Sequence, residues 1–207
     1  MKWHPSSIGK LMTQPKAKSE ILSETAKSYI KMKAKEDYFG FKTSITTKPM
    51  LKGIDWEEES IALVNQVRGT FYVKNNERFE NEYLTGQPDI ILDHSIIDIK
   101  TSWSMETWPA TPGEGINKEY EWQLMAYCWL LDKSQAELIY CMIDTDDTLL
   151  SDWDNIFIHK VSHIDPTKRI TVLRYDFAGE HHIDQMKEKL TAASEYYSQY
   201  INQLNNK

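Results

Sequence analysis

The chain has 207 residues, enough for one sizeable hydrophobic core and too few for two comfortable domains, and its composition is that of an ordinary globular protein. No apolar run approaches the roughly 18 residues of a membrane span, and the first residues lack the apolar stretch of a secretory signal, so a cytoplasmic protein is expected. The net charge of −7 argues against nucleic acid, yet residues 1–52 hold 11 Lys/Arg against 4 Asp/Glu, leaving the acid excess to the remainder.

In chain order, Ser6 and Ser7 followed by Ile8, Leu11 and Met12 predict a short capped helix that stops before Pro15. A second helix is expected over 23–38, with Lys27, Lys31 and Lys35 at i, i+4 spacing as a continuous basic stripe that could face phosphates or simply be solvated. A third is expected over 48–67, carrying Ile54, Ile61, Val64 and Val67 inward and stopped by Gly69. The period then changes: 70–73, 79–84, 88–92 and 95–101 are rich in β-branched and aromatic residues and read as strands. Residues 102–118 contain Pro109, Pro112, Gly113 and Gly115 and read as a long loop. A helix over 120–131, strands over 136–143 and 170–175, and a final helix over 181–204 complete the chain.

This order predicts an α/β (α+β) domain with a central mixed sheet flanked by helices and a helical N-terminal region. The expected organisation is one domain over 1–207, in which 1–47 form the basic helical part. Residues 48–143, with the last strand and helix, form the core.

The segment from Gly86 to Lys100 carries the chemistry. If Asp93-His94 is a hairpin turn, Leu92 faces Ser95 and Asp89 falls opposite Asp98, with Lys100 two residues further along the same face. Opposed carboxylates repel unless a proton or a cation is shared, and oxygen ligands open to water and phosphate suit Mg²⁺, with Mn²⁺ able to substitute. A lysine beside such an ion can orient the attacking water or stabilise charge on a phosphate in the transition state. The spacing alone leaves a second possibility, a hairpin with incidental acids and a snorkelling lysine.

Pro88-Asp89 followed by Asp98-Ile99-Lys100 resembles the signature of the PD-(D/E)XK nucleases. Upstream, Gly53-Ile54-Asp55-Trp56-Glu57 is similar to the G-x-x-x-E helix of the phage lambda-exonuclease, YqaJ and RecB-like branch. Downstream, Gln123-Leu124-Met125-Ala126-Tyr127 is similar to its Q-x-x-x-Y helix. The resemblance covers about residues 6–140 and implies a restriction-endonuclease-like core. It implies that Asp89, Asp98 and the Ile99 carbonyl bind the metal, with Glu57 as a direct or water-mediated ligand. Lys100 would position water, and Gln123 and Tyr127 would orient DNA or the lysine. A one-residue error in the motif would exchange Glu57 with Glu58.

The resemblance further implies an exonuclease acting 5′ to 3′ on double-stranded DNA ends in phage-type recombination. The expected partners are DNA ends and a single-strand annealing protein, the expected assembly a homo-oligomer, by family a trimer, and the expected setting a phage-infected or prophage-carrying bacterium. A structure-specific or nicking endonuclease and a non-catalytic DNA-binding module remain as alternatives.

Other candidates carry less. Cys128 and Cys141 lie in apolar stretches, read as core, and cannot supply the four thiolates of an iron–sulfur cluster. His159 and His163 have helical metal spacing but no companion ligands, and His181-His182 read as a helix start. Trp103 and Trp108 would stack on a base or pack their loop, and Tyr196, Tyr197 and Tyr200 would serve packing or oligomer contacts. No phosphate-binding Gly-rich loop and no Ser-His-Asp signature is present.

Overall fold

The structure is a computed structural model that describes residues 1–43, 46–179 and 181–206. The elements in order are α1 (Pro5–Leu11), α2 (Glu24–Phe39), α3 (Lys48–Asp55), α4 (Glu57–Arg68), β1 (Phe79–Glu80), β2 (Thr85–Gly86), β3 (Ile90–Ile91), β4 (Ser95–Thr101), α5 (Lys118–Leu131), β5 (Gln135–Cys141), β6 (Ile170–Asp176) and α6 (His181–Asn205). Single 3₁₀ turns at Asp147–Leu149, Ile156–Ile158 and Pro166–Lys168 fill the stretch between β5 and β6.

The main sheet runs β3-β4-β5-β6, antiparallel, parallel and antiparallel in turn, so it is mixed as expected. Central β4 turns Ile97 and Ile99 to one face and Ile96, Asp98 and Lys100 to the other, and this difference pins its register because a one-residue slip would exchange the two sets. Ile97, Ile99, Ile139 and Cys141 pack on Ile61 and Val64 of α4. On the opposite face Ile96, Ala136 and Leu138 pack on Leu124, Tyr127 and Cys128 of α5. Burial of each such aliphatic side chain contributes about 1.5–3 kcal/mol. A third cluster gathers α1, α2, α5 and α6 around Trp3, Ile8, Leu11, Ile30 and Leu190.

The N-terminal segment is stitched into this frame. Trp3 exchanges backbone hydrogen bonds with the β1–β2 hairpin, from its N–H to the Tyr83 carbonyl at 2.8 Å and from the Thr85 N–H to its carbonyl at 3.0 Å. Its indole N–H donates to Ser194 of α6 at 3.1 Å. At Gly86 a Cβ would come within 2.8 Å of both the Pro5 ring and the Tyr127 ring, so only glycine lets α1 and α5 close over this point.

Four expectations need correction. The first helix begins at Pro5 with His4 as its N-cap and no side-chain cap, because proline is pre-set for the first helical position. The helix expected over 48–67 is two helices, broken at Trp56 (φ −116°, ψ 24°), and the break turns Ile54 out to 63% exposure while Ile61 and Val64 stay inward. Residues 70–73 form no strand: Phe71 and Val73 are exposed, and the Asn65 side chain occupies both backbone groups of Tyr72, at 2.7 and 2.9 Å. The strands expected over 79–84 and 88–92 shrink to the two-residue β1 and β3. Ser23 caps α2 by accepting from the Ala26 N–H, and Gly69 ends α4 in the left-handed region (φ 64°).

The basic stripe of α2 is not free. Lys27 pairs with Glu20 and Glu24 at 3.0 and 2.9 Å, and Lys31 lies 5.9 Å from the ring centres of both Tyr196 and Tyr200 on α6. Those tyrosines therefore serve packing. Cys128 and Cys141 are buried, and their thiols are pushed up to about 12 by burial. Among the described residues no helix is long and apolar enough to cross a membrane.

Candidate active site

The hairpin register is the predicted one. Ile90 pairs with Ile97 and Ile91 with Ile96, Leu92 donates to the Ser95 carbonyl at 2.9 Å, and Asp89 therefore stands opposite Asp98. The Asp89 carboxylate crosses the hairpin to accept the Ile99 N–H at 2.6 Å. Asp98 is 2% exposed, and its Oδ1 accepts from Gln123 Nε2 of α5 at 2.8 Å. Lys100 Nζ lies 2.7 Å from Asp98 Oδ2, close enough for charge attraction but outside hydrogen-bond geometry, so this buried oxygen has no hydrogen-bond partner.

The charges are strained in a consistent direction. Burial, then the nearby Asp98 and Glu57 charges, push the Asp89 carboxyl well above its ordinary range, against the Ile99 N–H and Lys100 that favour its ionised form. Burial works against the Lys100 ammonium, but Asp98 and Asp89 outweigh it and hold the pKa above that of an ordinary lysine. Lys100 is thus a cation at neutral pH, suited to attract and orient rather than to take a proton.

Glu57 opens α4, where the helix dipole favours its charge, and Glu58 and Glu59 are exposed, so the motif register selects Glu57. Its Oε2 is 3.2 Å from Lys74 Nζ, and its Oε1 is buried without a partner. Tyr127 donates its hydroxyl to the Gln87 carbonyl at 3.1 Å, just ahead of Pro88-Asp89. Gln123 and Tyr127 thus hydrogen-bond Asp98 and the strand that leads to Asp89.

Three residues around the site escaped the sequence reading. Lys74 lies in the segment read as strand and loop, with no local signal. Tyr120, whose ring centre is 4.7 Å from Lys100 Nζ, stands at i, i+3, i+7 with Gln123 and Tyr127, a spacing that could have flagged it. Lys52 is wholly buried and donates to the Trp103 and Ile143 carbonyls and to Thr145 Oγ1, at 3.1, 2.8 and 2.8 Å; burial lowers its pKa to about 8. His159 also bonds Thr145 Oγ1, at 3.1 Å, and meets the Trp103 ring edge-on, so His159 and Trp103 are packing groups.

The donor set fits a hard divalent ion. Among the described residues no three His, Cys, Asp or Glu side chains form a ready-made metal cage. The two opposed aspartates nevertheless form an oxygen seat, with a buried Asp98 oxygen faced only by Lys100, an unpartnered buried oxygen on Glu57 and a carboxyl on Asp89 that resists ionisation without added positive charge.

A phage-related exonuclease from Haemophilus somnus 129PT is 34% identical to this chain, with 99% of this chain and 96% of that one covered and a TM-score of 0.92. The alkaline exonuclease LHK-Exo from Laribacter hongkongensis shares the fold at 14% identity, covering 99% of this chain and 92% of that one (TM-score 0.70). LHK-Exo in complex with dAMP matches at 16% identity over the same shares (TM-score 0.68). No family model matches the chain, and no curated protein matches it. The chain belongs to the phage-related exonucleases of the lambda-exonuclease and YqaJ-like branch of the PD-(D/E)XK nucleases. It is a nuclease.

Proposed function

We propose that this nuclease is a Mg²⁺-dependent exonuclease that hydrolyses phosphodiester bonds at double-stranded DNA ends, 5′ to 3′, in phage-type recombination. The observation that carries the reading is the face shared by Asp89, Asp98 and Lys100, where the second Asp98 oxygen meets only the Lys100 ammonium. Asp89, Asp98 and the Ile99 carbonyl would hold the ion, with Glu57 as direct or water-mediated ligand and Mn²⁺ as an acceptable substitute. A bound Mg²⁺ supplies Lewis-acid polarisation of the phosphate and lowers the pKa of a coordinated water.

The protein's own part is positional and electrostatic. The Ile99 N–H and the Gln123 amide fix the two carboxylates, and Tyr127 fixes the strand that delivers Asp89. The Lys100 ammonium, held between Asp98 and the Tyr120 ring, attracts the scissile phosphate and orients the attacking water. Likeness to a phage-related exonuclease supports the setting of a phage-infected or prophage-carrying cell, where the enzyme would work in the cytoplasm as a homo-oligomer, by family a trimer, and feed a single-strand annealing protein.

The test is digestion of a linear, 5′-phosphorylated duplex in Mg²⁺, in EDTA and with Lys100→Ala, using strand-specific end labels and a covalently closed circle. Mg²⁺-dependent loss of the linear DNA from its 5′ ends, absent in the variant, is expected. Cutting of the circle would make it an endonuclease, and binding without product would leave a DNA-binding module.

A further inference from the structure

Glu57 opens α4 directly after the break at Trp56, and no side chain caps the helix there. Local structure therefore does not fix where its carboxylate stands; the anchors on either side of the break do. Glu57 lies near enough to Asp89 for its charge to act on that carboxyl, so a small shift of α4 changes the oxygen seat.

The first anchor is Lys52, in the last turn of α3. Its carbonyl accepts the Trp56 N–H at 3.1 Å, which closes α3 at the break. Its side chain is wholly buried, and all three donors of the ammonium are used, on the Trp103 carbonyl at 3.1 Å, the Ile143 carbonyl at 2.8 Å and Thr145 Oγ1 at 2.8 Å. Trp103 lies just past the end of β4 and Ile143 just past the end of β5, and these strands are parallel neighbours. The carbonyls beyond two adjacent strand ends thus converge on one ammonium. An apolar side chain would fill this space at a lower desolvation cost, but it could not tie three backbone segments together.

The second anchor is Ser60, which follows Glu57 by one turn of α4 and is also wholly buried. Its hydroxyl shares a hydrogen bond with Thr101 Oγ1 at 2.8 Å. Between Thr101 and Trp103, the Ser102 N–H is fixed to the Cys141 carbonyl at 2.9 Å. Both anchors therefore land on residues 101–103, the stretch that leaves the sheet immediately after Lys100.

We propose that Lys52 and Ser60 are positioning residues for metal binding: from either side of the Trp56 break they set Glu57 against the strand that carries Asp98 and Lys100. The inference rests on the reading of Glu57 as a direct or water-mediated ligand and extends it to two buried residues outside the ligand set.

The test is calorimetric titration of Mn²⁺ without DNA. It uses wild type, Lys52→Met, Ser60→Ala, Glu57→Gln and the two double variants that include Glu57→Gln, each first shown to be folded by its thermal transition. Lys52→Met keeps the aliphatic stem and removes the three donors, and should bind Mn²⁺ about tenfold more weakly. Ser60→Ala removes one neutral hydrogen bond and should bind about threefold more weakly; it carries the test if Lys52→Met does not fold. In the Glu57→Gln background neither change should weaken binding further, because the group that the anchors position is gone. Losses of equal size with and without Glu57 would reveal a general loosening of the fold and overturn the proposal. Unchanged affinity in the folded single variants, while Glu57→Gln binds weakly, would overturn the positioning role alone. Full affinity in Glu57→Gln, or no binding by wild type, would remove the metal reading of Glu57 and the positioning role with it.

Discussion

Replacing Gln123 with Leu isolates what holds Asp98. The amide donates at 2.8 Å to a carboxylate that is 2% exposed, and the other carboxylate oxygen already lacks a hydrogen-bond partner. A hydrogen bond to a charged group contributes about 1.5–3 kcal/mol, and its loss leaves the buried carboxylate with only the Lys100 ammonium to compensate it. At about 2–4 °C per kcal/mol for a chain of this size, the melting temperature should fall by roughly 3–12 °C. The assay is thermal unfolding of wild type, Gln123→Leu, Asp98→Asn and the double variant, giving a coupling energy of about 1.5–3 kcal/mol. Mn²⁺ should recover part of the loss in Gln123→Leu, because an ion can compensate the stranded oxygen, and none in the double variant. A coupling near zero would refute the argument that Gln123 acts through Asp98.

Three further outcomes are expected. Lys52 has its pKa lowered to about 8 by burial, so between pH 8 and 10.5 the unfolded chain binds more protons and wild-type stability rises with pH relative to Lys52→Met, at up to about 1.4 kcal/mol per pH unit; parallel stability curves would show that Lys52 does not titrate this way. Adding Mg²⁺ at about a hundred times its dissociation constant should stabilise wild type by about 2.7 kcal/mol and Asp98→Asn by much less, read as melting temperature against EDTA; an equal shift in both would move the ion elsewhere. Lys74→Gln frees the Glu57 carboxylate from a cation 3.2 Å away, so Mn²⁺ should bind about fivefold tighter, a change of ~1 kcal/mol, in a calorimetric titration without DNA; unchanged or weaker binding would mean that Lys74 holds Glu57 in place instead.

The parts of this molecule that were legible in the sequence are those fixed by local period and turn. The Asp89–Asp98 register followed from counting back from Asp93-His94, because a slip would turn Asp98 and Lys100 to the face where Ile97 and Ile99 pack. Motif spacing pointed to Glu57 but left Glu58 open to a one-residue error, and in the structure Glu58 is exposed while Glu57 is half-buried. The break at Trp56 was not legible, since neither Gly nor Pro marks it and the pattern of apolar residues runs through. Residues 70–73 misled because β-branched and aromatic content signals a strand, whereas the Asn65 side chain captures Tyr72 across seven residues. Lys52 and Lys74 could not be read, because nothing near them in sequence says which carbonyls or carboxylate they will meet in space.

The stitching of the N-terminus sets an order of assembly during synthesis. Trp3 is made before all of its partners: its backbone partners lie at 83 and 85 and its indole partner at Ser194, 191 positions later. Until α6 has left the ribosome the Trp3 indole lacks its Ser194 acceptor, and contacts so distant in sequence form slowly. The nascent chain can thus build the Asp89–Asp98 hairpin early, the N-terminal brace that Gly86 admits against Tyr127 closes once α5 is made, and its tie to α6 comes last. A chain stalled before α6 would lack the Ser194 tie of this brace.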